Sequence, residues 1–198
     1  MSPTQASHRL HTLVALVEDH PGVLNRVASL FRRRGFNIES ITVGKTETDG
    51  ISRMTLVIDG ATTQVEQVEK QLYKLIDVVK VSDITHDGII ARELALIKVR
   101  CNNLNRHEIV QLAQIFRAEI VDVTDTTLVI EAVGDEDRLE SLLKVLRPYG
   151  IREIVRTGRV ALARGVGSTT VEAEPAEIRQ FHRREGRMPA KPLPFASD

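Results

Sequence analysis

Along residues 11–162 the hydrophobic spacing alternates between a period of two and a period near 3.6, and it runs through the same order twice. Residues 11–17 (HTLVALV) are apolar on both faces, as a strand at the centre of a sheet is. Residues 21–34 change to helical spacing, with Val23, Val27 and Leu30 on one face and Leu24, Ala28 and Phe31 beside it. Gly35 stops that helix. Residues 37–47 form a second strand with Ile41 and Val43 on one side, and Thr48-Asp49-Gly50 has hairpin-turn chemistry. Residues 52–59 alternate Met54, Leu56 and Ile58 against Thr55 and Val57. A helix over 62–75 carries Val65, Val68, Leu72, Leu75 and Ile76, and a strand over 78–85 completes a βαββαβ unit.

The second unit is looser. Residues 93–101 make a strand. Asn105 and Glu108 have capping-box spacing ahead of Ile109, Leu112, Ala113 and Phe116. Strands 119–123 and 127–133 form a hairpin around Thr124-Asp125-Thr126. A helix on Leu139, Leu142, Leu143 and Leu146 ends at Pro148 and Gly150, and residues 151–162 close as one strand. Leu30-Phe31-Arg32 and Ile115-Phe116-Arg117 occupy matching places. The expected class is α+β with two antiparallel sheets: one domain over 10–86, a second over 91–163, and a boundary near 86–90. From Arg164 the chain turns to Gly, Pro and mixed charge. Residues 164–198 are expected to be a disordered tail, with a short helix over 176–184 and Phe181 and Phe195 as its anchors.

Composition narrows the function. Lys plus Arg and Asp plus Glu are 27 each, so the formal net charge is zero. That argues against gripping nucleic-acid phosphates or an anionic membrane surface. Strands 11–17 and 52–59 carry no aromatic residue, whereas an RNA-recognition domain of this topology stacks bases on aromatics there. No membrane-spanning run is present, and the polar first 11 residues lack a signal-peptide stretch, so a cytoplasmic protein is expected. The single cysteine, Cys101, ends a strand and reads as a small core residue. The six histidines have no metal-ligand spacing, and no nucleophile or phosphate-loop motif occurs. An acylphosphatase-like enzyme needs more than His20 beside the first loop. No catalytic residue and no metal site is expected.

Two loops stand out. In Glu18-Asp19-His20-Pro21-Gly22-Val23-Leu24, Asp19 or His20 is the expected N-cap and Pro21 an early helical position. The free N–H groups of Gly22, Val23 and Leu24 then face outward at a helix N-terminus, where a carboxylate is held. The plainer alternative is a tight strand-to-helix turn. In Gly35-Phe36-Asn37-Ile38-Glu39-Ser40, Asn37 offers donor and acceptor to an amino acid, or is a turn residue after a helix stop. Arg32-Arg33-Arg34 suits the last turn of a helix better than a nucleic-acid patch.

Together VEDHPGVLNRVASLFRRRGFNIESITVGKTE, SRMTLVIDG and EQVEKQLYKLIDVVKV resemble the small regulatory subunit of acetolactate synthase (acetohydroxyacid synthase). ELALIKV, IFRAEIVDVT and GIREIVRTGRVALARG extend the resemblance to about residues 10–165. It implies an N-terminal ACT domain for effector binding and dimerisation, and a C-terminal ferredoxin-like domain. It implies a homodimer paired through the first helix and the edge strand starting at Asn37. The catalytic partner would be a large subunit using thiamine diphosphate, Mg²⁺ and FAD to join pyruvate to pyruvate or 2-ketobutyrate. This chain would raise that activity and confer feedback inhibition by a branched-chain amino acid, usually valine. Carried over by position, the effector residues are Asp19, His20, Pro21, Gly22, Val23, Leu24, Asn37 and Ile38. Many members carry Asn where this chain has Asp19; a carboxylate there favours a ligand ammonium and repels a ligand carboxylate. An ACT-type sensor serving a different enzyme is the alternative.

Overall fold

The computed structural model describes residues 10–60 and 65–165. The tail expected from Arg164, with its helix and its two phenylalanines, lies outside these residues apart from Arg164 and Gly165. The first half runs β1 (Leu10–Glu18), α1 (Val23–Arg34), β2 (Ile38–Lys45), β3 (Ile51–Asp59), α2 (Val65–Leu72) and β4 (Val78–Asp83). Its strands form an antiparallel sheet in the order β2-β3-β1-β4, so β1 and β3 are central and β2 is an edge. The β2–β3 turn closes through Ile51 N–H donating to the Thr48 carbonyl, with Gly50 at φ +77°. Both helices lie on one face. Val23, Val27, Leu30 and Phe31 of α1 and Val68 and Leu72 of α2 bury against Leu13, Ala15, Val17, Met54, Leu56 and Ile58. Ile76, expected on the core face of the second helix, is exposed, because α2 ends at Leu72.

The second half repeats the order: β5 (Ile89–Arg100), α3 (Arg106–Ile115), β6 (Glu119–Val123), β7 (Thr127–Gly134), α4 (Glu136–Leu146), β8 (Ile151–Arg156) and β9 (Val160–Ala163). Its sheet order is β6-β7-β5-β8, with α3 and α4 packed on Ala95, Ile97, Val99, Leu128, Ile130 and Ala132. Two antiparallel sheets, each with its helices on one face, make this an α+β chain of two ferredoxin-like βαββαβ units. Cys101 is buried in the second core. No helix among the described residues is long and apolar enough to cross a membrane.

Three local expectations are corrected. Residues 151–162 are two strands, because Gly158 at φ +85° turns the chain out of the β8 line. β5 begins at Ile89 instead of Glu93, and Ile89 to Arg92 pair with β9. The Asn105/Glu108 capping box does not form. Asn105 Oδ1 accepts from Asn102 N–H at 2.7 Å, and the Glu108 carboxylate accepts from the Tyr149 hydroxyl at 3.2 Å. Helix α4 is capped instead, Asp135 Oδ1 accepting from Arg138 N–H at 3.0 Å.

The β5–β9 ribbon covers part of the second face of the first strand, and Ile51 and Val79 cover Leu16 beside it. Opposite the helices, Thr12, Val14, Leu16, Thr55 and Val57 are all buried. Val14 packs with Ile84 and Ala161, flanked by Ile89 and Ala91. Polar groups on that face are paired as burial requires. Arg53 donates to the Ala161 carbonyl at 2.6 Å, Arg159 donates to Thr12 Oγ1 at 3.0 Å, and Thr12 N–H donates to Thr85 Oγ1 at 2.9 Å. Burial pulls the Arg53 guanidinium below its ordinary range, partly offset by Glu47. The link over 84–88 is anchored too. Ile84 is buried, and Arg164 N–H donates to the Gly88 carbonyl at 2.7 Å.

Gly158 meets the first sheet closely. A Cβ there would stand 3.1 Å from Thr42 Oγ1 and 3.3 Å from Ser40 Cβ. Gly158→Ala is expected to destabilise the chain by about 1–3 kcal/mol through left-handed backbone strain and this contact. Gly44→Ala, in β2 with nothing within 4 Å of its Cβ, is the comparison. Urea midpoints of the two variants check this; equal midpoints would show that the 157–159 loop does not bear on the first sheet.

Candidate functional site

The strand-to-helix turn after β1 is built on register. Glu18 ends β1 opposite Ile51 of β3, and Asp19 N–H donates to the Gly50 carbonyl at 2.8 Å, so the chain leaves the sheet at a defined point. His20 and Pro21 follow, both exposed. The N-cap is Gly22, at φ +95°, ψ −14°, and its carbonyl accepts the first helical bond from Arg26 N–H at 3.0 Å. This corrects the expectation that Asp19 or His20 caps the helix with Pro21 inside it. The residue before a proline is steered away from helical angles, and buried Val23 sets where α1 can begin. No side chain caps this end, and its first turn has no acidic residue. A Cβ on Gly22 would meet nothing within 4 Å. The first-turn N–H groups of α1 thus lie beside open space at the positive end of a helix.

Each expected residue has a distinct part. Asp19 is exposed. Val23 is buried, so it offers the site its backbone alone, whereas Leu24 is half-exposed. His20 Nδ1 approaches the Pro21 carbonyl at 3.1 Å, and Nε2 approaches Asp77 Oδ1 at 3.1 Å and Glu18 at 3.4 Å. At the far end of α1, Gly35 (φ +67°) closes the helix, with Gly35 N–H on the Arg32 carbonyl and Phe36 N–H on the Phe31 carbonyl. Asn37 is exposed on the way into β2. Ile38 packs on the core, so it too offers only its backbone. Arg32, Arg33 and Arg34 fall in the last turn of α1, as expected, and Arg34 donates to Gln71 at 2.9 Å.

The structure does not bring the two groups together in one chain. Ile38 lies beside Ile58 and Ile58 beside His11, seven positions along β1 from Glu18. At about 3.3 Å per residue that is about 23 Å. The 12-residue α1 gives about 18 Å between its ends. A single amino acid bridges neither distance.

Residues that the spacing did not single out support the turn. Asp77, between α2 and β4, has a side chain only 5% exposed. Its carboxylate accepts from Arg26 Nη1 at 3.2 and 3.0 Å, and its carbonyl accepts from Glu18 N–H at 2.9 Å. Glu18, His20 and Asp77 converge within 4.8 Å, a spacing that a metal ion tolerates. Within it, the Asp77 carboxylate is already paired with the Arg26 guanidinium. No short-range pattern links residues 18–26 to residue 77, so local spacing alone does not reveal the cluster.

A cleft of about 360 Å³ lies between the halves, beside Ser40, Glu93, Glu136, Arg156 and Arg159. Its charges answer one another. Arg156 donates to Glu93 at 2.8 and 2.7 Å and to Glu140 at 2.7 Å, and Arg159 donates to Glu136. The Glu93 hydrogen bonds hold Arg156 further above the ordinary arginine range, against burial and with help from Glu140. These pairs lie within the second half and leave neither Arg156 nor Arg159 waiting for a ligand, while Thr42 Oγ1 of the first half donates across to the Arg159 carbonyl at 3.2 Å.

Residues 92–165 match the family described as the small subunit of acetolactate synthase, and residues 13–80 match the small-subunit-like ACT domain of the same enzyme, abbreviated AHAS. The acetolactate synthase small subunit of Mycobacterium leprae is 54% identical over 155 residues, covering 78% of this chain and 92% of the relative. That of Mycolicibacterium smegmatis is 53% identical over 155 residues, covering 78% and 91%. The crystal structure of the Thermotoga maritima acetolactate synthase small subunit shares 44% identity over 79% of this chain and 98% of that one, with a TM-score of 0.72. On both halves, and on the order of elements described above, the chain belongs to the acetolactate synthase small-subunit family.

Proposed function

We propose that this chain regulates an acetolactate synthase. It binds a large catalytic subunit carrying thiamine diphosphate, Mg²⁺ and FAD, raises its activity, and confers feedback inhibition by a branched-chain amino acid, valine first. The chain works in the cytoplasm and is not catalytic alone. The effector is held by Asp19, His20, Pro21, Gly22, Val23 and Leu24 of one copy and by Asn37 and Ile38 of another. The carboxylate meets the first-turn N–H groups of α1, and Asn37 completes the polar shell.

The observation that carries this reading is the separation of the two groups across one chain together with the unpaired β2 edge. Lys45 at the end of β2 lies beside Ser52, which lies beside Val17, so β2 ends level with the turn. Antiparallel pairing of two β2 edges sets the start of one strand beside the end of the other. A two-fold axis there carries Asn37 of a second copy toward the turn of the first. Half-exposed Leu24 and Val43, on α1 and β2, then gain apolar cover. Under this arrangement the effector joins both protomers, and its binding is felt by the dimer as a whole.

Mixing the purified chain with a candidate catalytic subunit tests the role. The chain alone is expected to form no acetolactate and to copurify with neither thiamine diphosphate nor FAD. Added to the catalytic subunit it should raise turnover, and valine should lower it again. Turnover by the chain itself, or no response from the catalytic subunit, would overturn the proposal; the second result would favour an ACT sensor for another enzyme.

Two substitutions test the site. Asn37→Ala should raise the half-inhibitory valine concentration about tenfold, the loss of one hydrogen bond to a charged group. Gly22→Asp should abolish valine binding by placing a carboxylate where the effector's own belongs. Two such charges about 4 Å apart repel by about 4 kcal/mol at an effective dielectric of about 20. Because φ is +95° at Gly22, any side chain there strains the backbone. Gly22→Ala shares the strain without the charge and should retain valine binding better than Gly22→Asp by calorimetry. Equal losses would point to backbone strain instead of charge.

A further inference from the structure

We propose that Asp77 is the positioning residue of the effector turn: it touches no effector, yet its buried carboxylate holds the turn in the shape that binds one. This rests on the reading of residues 19–24 as half of the effector site. Asp77 enters from a different part of the chain, just before β4, and its side chain is only 5% exposed. Its two oxygens reach the two flanks of the turn. Oδ1 meets His20 Nε2 at 3.1 Å, one residue before Pro21, and both oxygens take Arg26 Nη1, one helical turn beyond Gly22. Its own carbonyl meanwhile holds Glu18 N–H at 2.9 Å, where β1 ends. Three anchors from one residue therefore bracket the left-handed Gly22 and the N–H groups behind it.

The chemistry makes this anchor exacting. A buried carboxylate keeps its charge only with partners close by, and here they are a guanidinium and an imidazole belonging to the turn. Losing the charge frees both flanks together, while Val23 still roots α1 in the core. The fold survives and the turn loosens. A pre-formed set of N–H donors becomes one that the effector must order at its own expense, and affinity falls. Arg26 has a side chain 52% exposed, so uncoupling it leaves no buried unpaired cation.

The test uses the full chain with its catalytic subunit and valine as the probe. Asp77→Asn, which preserves shape and removes charge, should raise the half-inhibitory valine concentration about tenfold and weaken valine binding in calorimetry to the same extent. Activation in the absence of valine should stay within about twofold of the parent. Arg26→Gln should weaken inhibition similarly, and the double variant should be no worse than the more damaged single one, as expected when two residues act through one contact. Amide exchange should quicken at residues 19–24 and remain unchanged in β1 and β3. Unchanged valine binding in Asp77→Asn would overturn the inference. So would loss of activation along with inhibition, since that marks a merely structural role, or full additivity with Arg26→Gln. If Asn37→Ala and Gly22→Asp relieve inhibition while Asp77→Asn does not, the effector site stands and only the role of Asp77 falls. If none of the three changes valine binding, the reading of the turn falls with it.

Discussion

Burial of β1 and β3 on both faces is the constraint on which the rest of the molecule depends. Leu13, Ala15 and Val17 face the helices, while Thr12, Val14 and Leu16 face the other way and are equally dry. A sheet with helices on one side alone would leave the second set in water, and each large apolar side chain left there forfeits about 1.5–3 kcal/mol. Over Val14 the cover is the β5–β9 ribbon, which belongs to the second half of the chain, whereas Leu16 packs with Ile51 and Val79 of the first half. The two halves are therefore joined by a shared core patch and not only by the link over 84–88. The Arg53–Ala161 and Arg159–Thr12 hydrogen bonds keep that patch free of unpaired polar groups.

The candidate site inherits its rigidity from the same strands. β1 can end only where its register with β3 ends, at Glu18 opposite Ile51, and Gly50 then holds Asp19. Asp77 closes the frame from the β4 side. What the frame presents is small: a left-handed glycine, a few N–H groups of α1 and open space in front of them. Such a surface suits a small anion-bearing ligand better than a substrate enclosed for chemistry.

The second half shows how a shared topology can lose a site. Its strand-to-helix entry, at residues 101–106, is closed by Asn102 and Asn105 bonding one another's backbone, and the N-cap Asn105 has φ −104°. No glycine there takes a left-handed conformation. The first turn of α3 also carries the acidic Glu108, whereas the first turn of α1 has no acidic residue. Under the proposed function, effector binding belongs to the first half, and the second half holds the β5–β9 ribbon in place.

Much of this was legible in the chain itself, for local reasons. A run apolar on both faces placed β1, alternation placed β3, and a hairpin turn placed β7. Helical spacing placed α1 and α4. Gly35 and Gly50 marked their turns because left-handed backbone excludes most other residues. The phrases around Gly22 and Asn37 pointed to the family and to both parts of the candidate site. What stayed hidden depends on contacts between distant residues. Whether residues 151–162 are one strand or two turns on the close approach of Gly158 to Thr42 and Ser40, more than a hundred positions away. Where β5 starts depends on β9. Which residue caps α1 depends on Val23 in the core, and His20 is drawn aside by Asp77 from beyond α2. The amino-acid order by itself determined the elements and their repeat, because hydrophobic period and turn chemistry act within a few residues. Only the tertiary structure decided that the two candidate groups lie far apart in one chain, because that separation is set by the length of α1 and the register of β1 against β3.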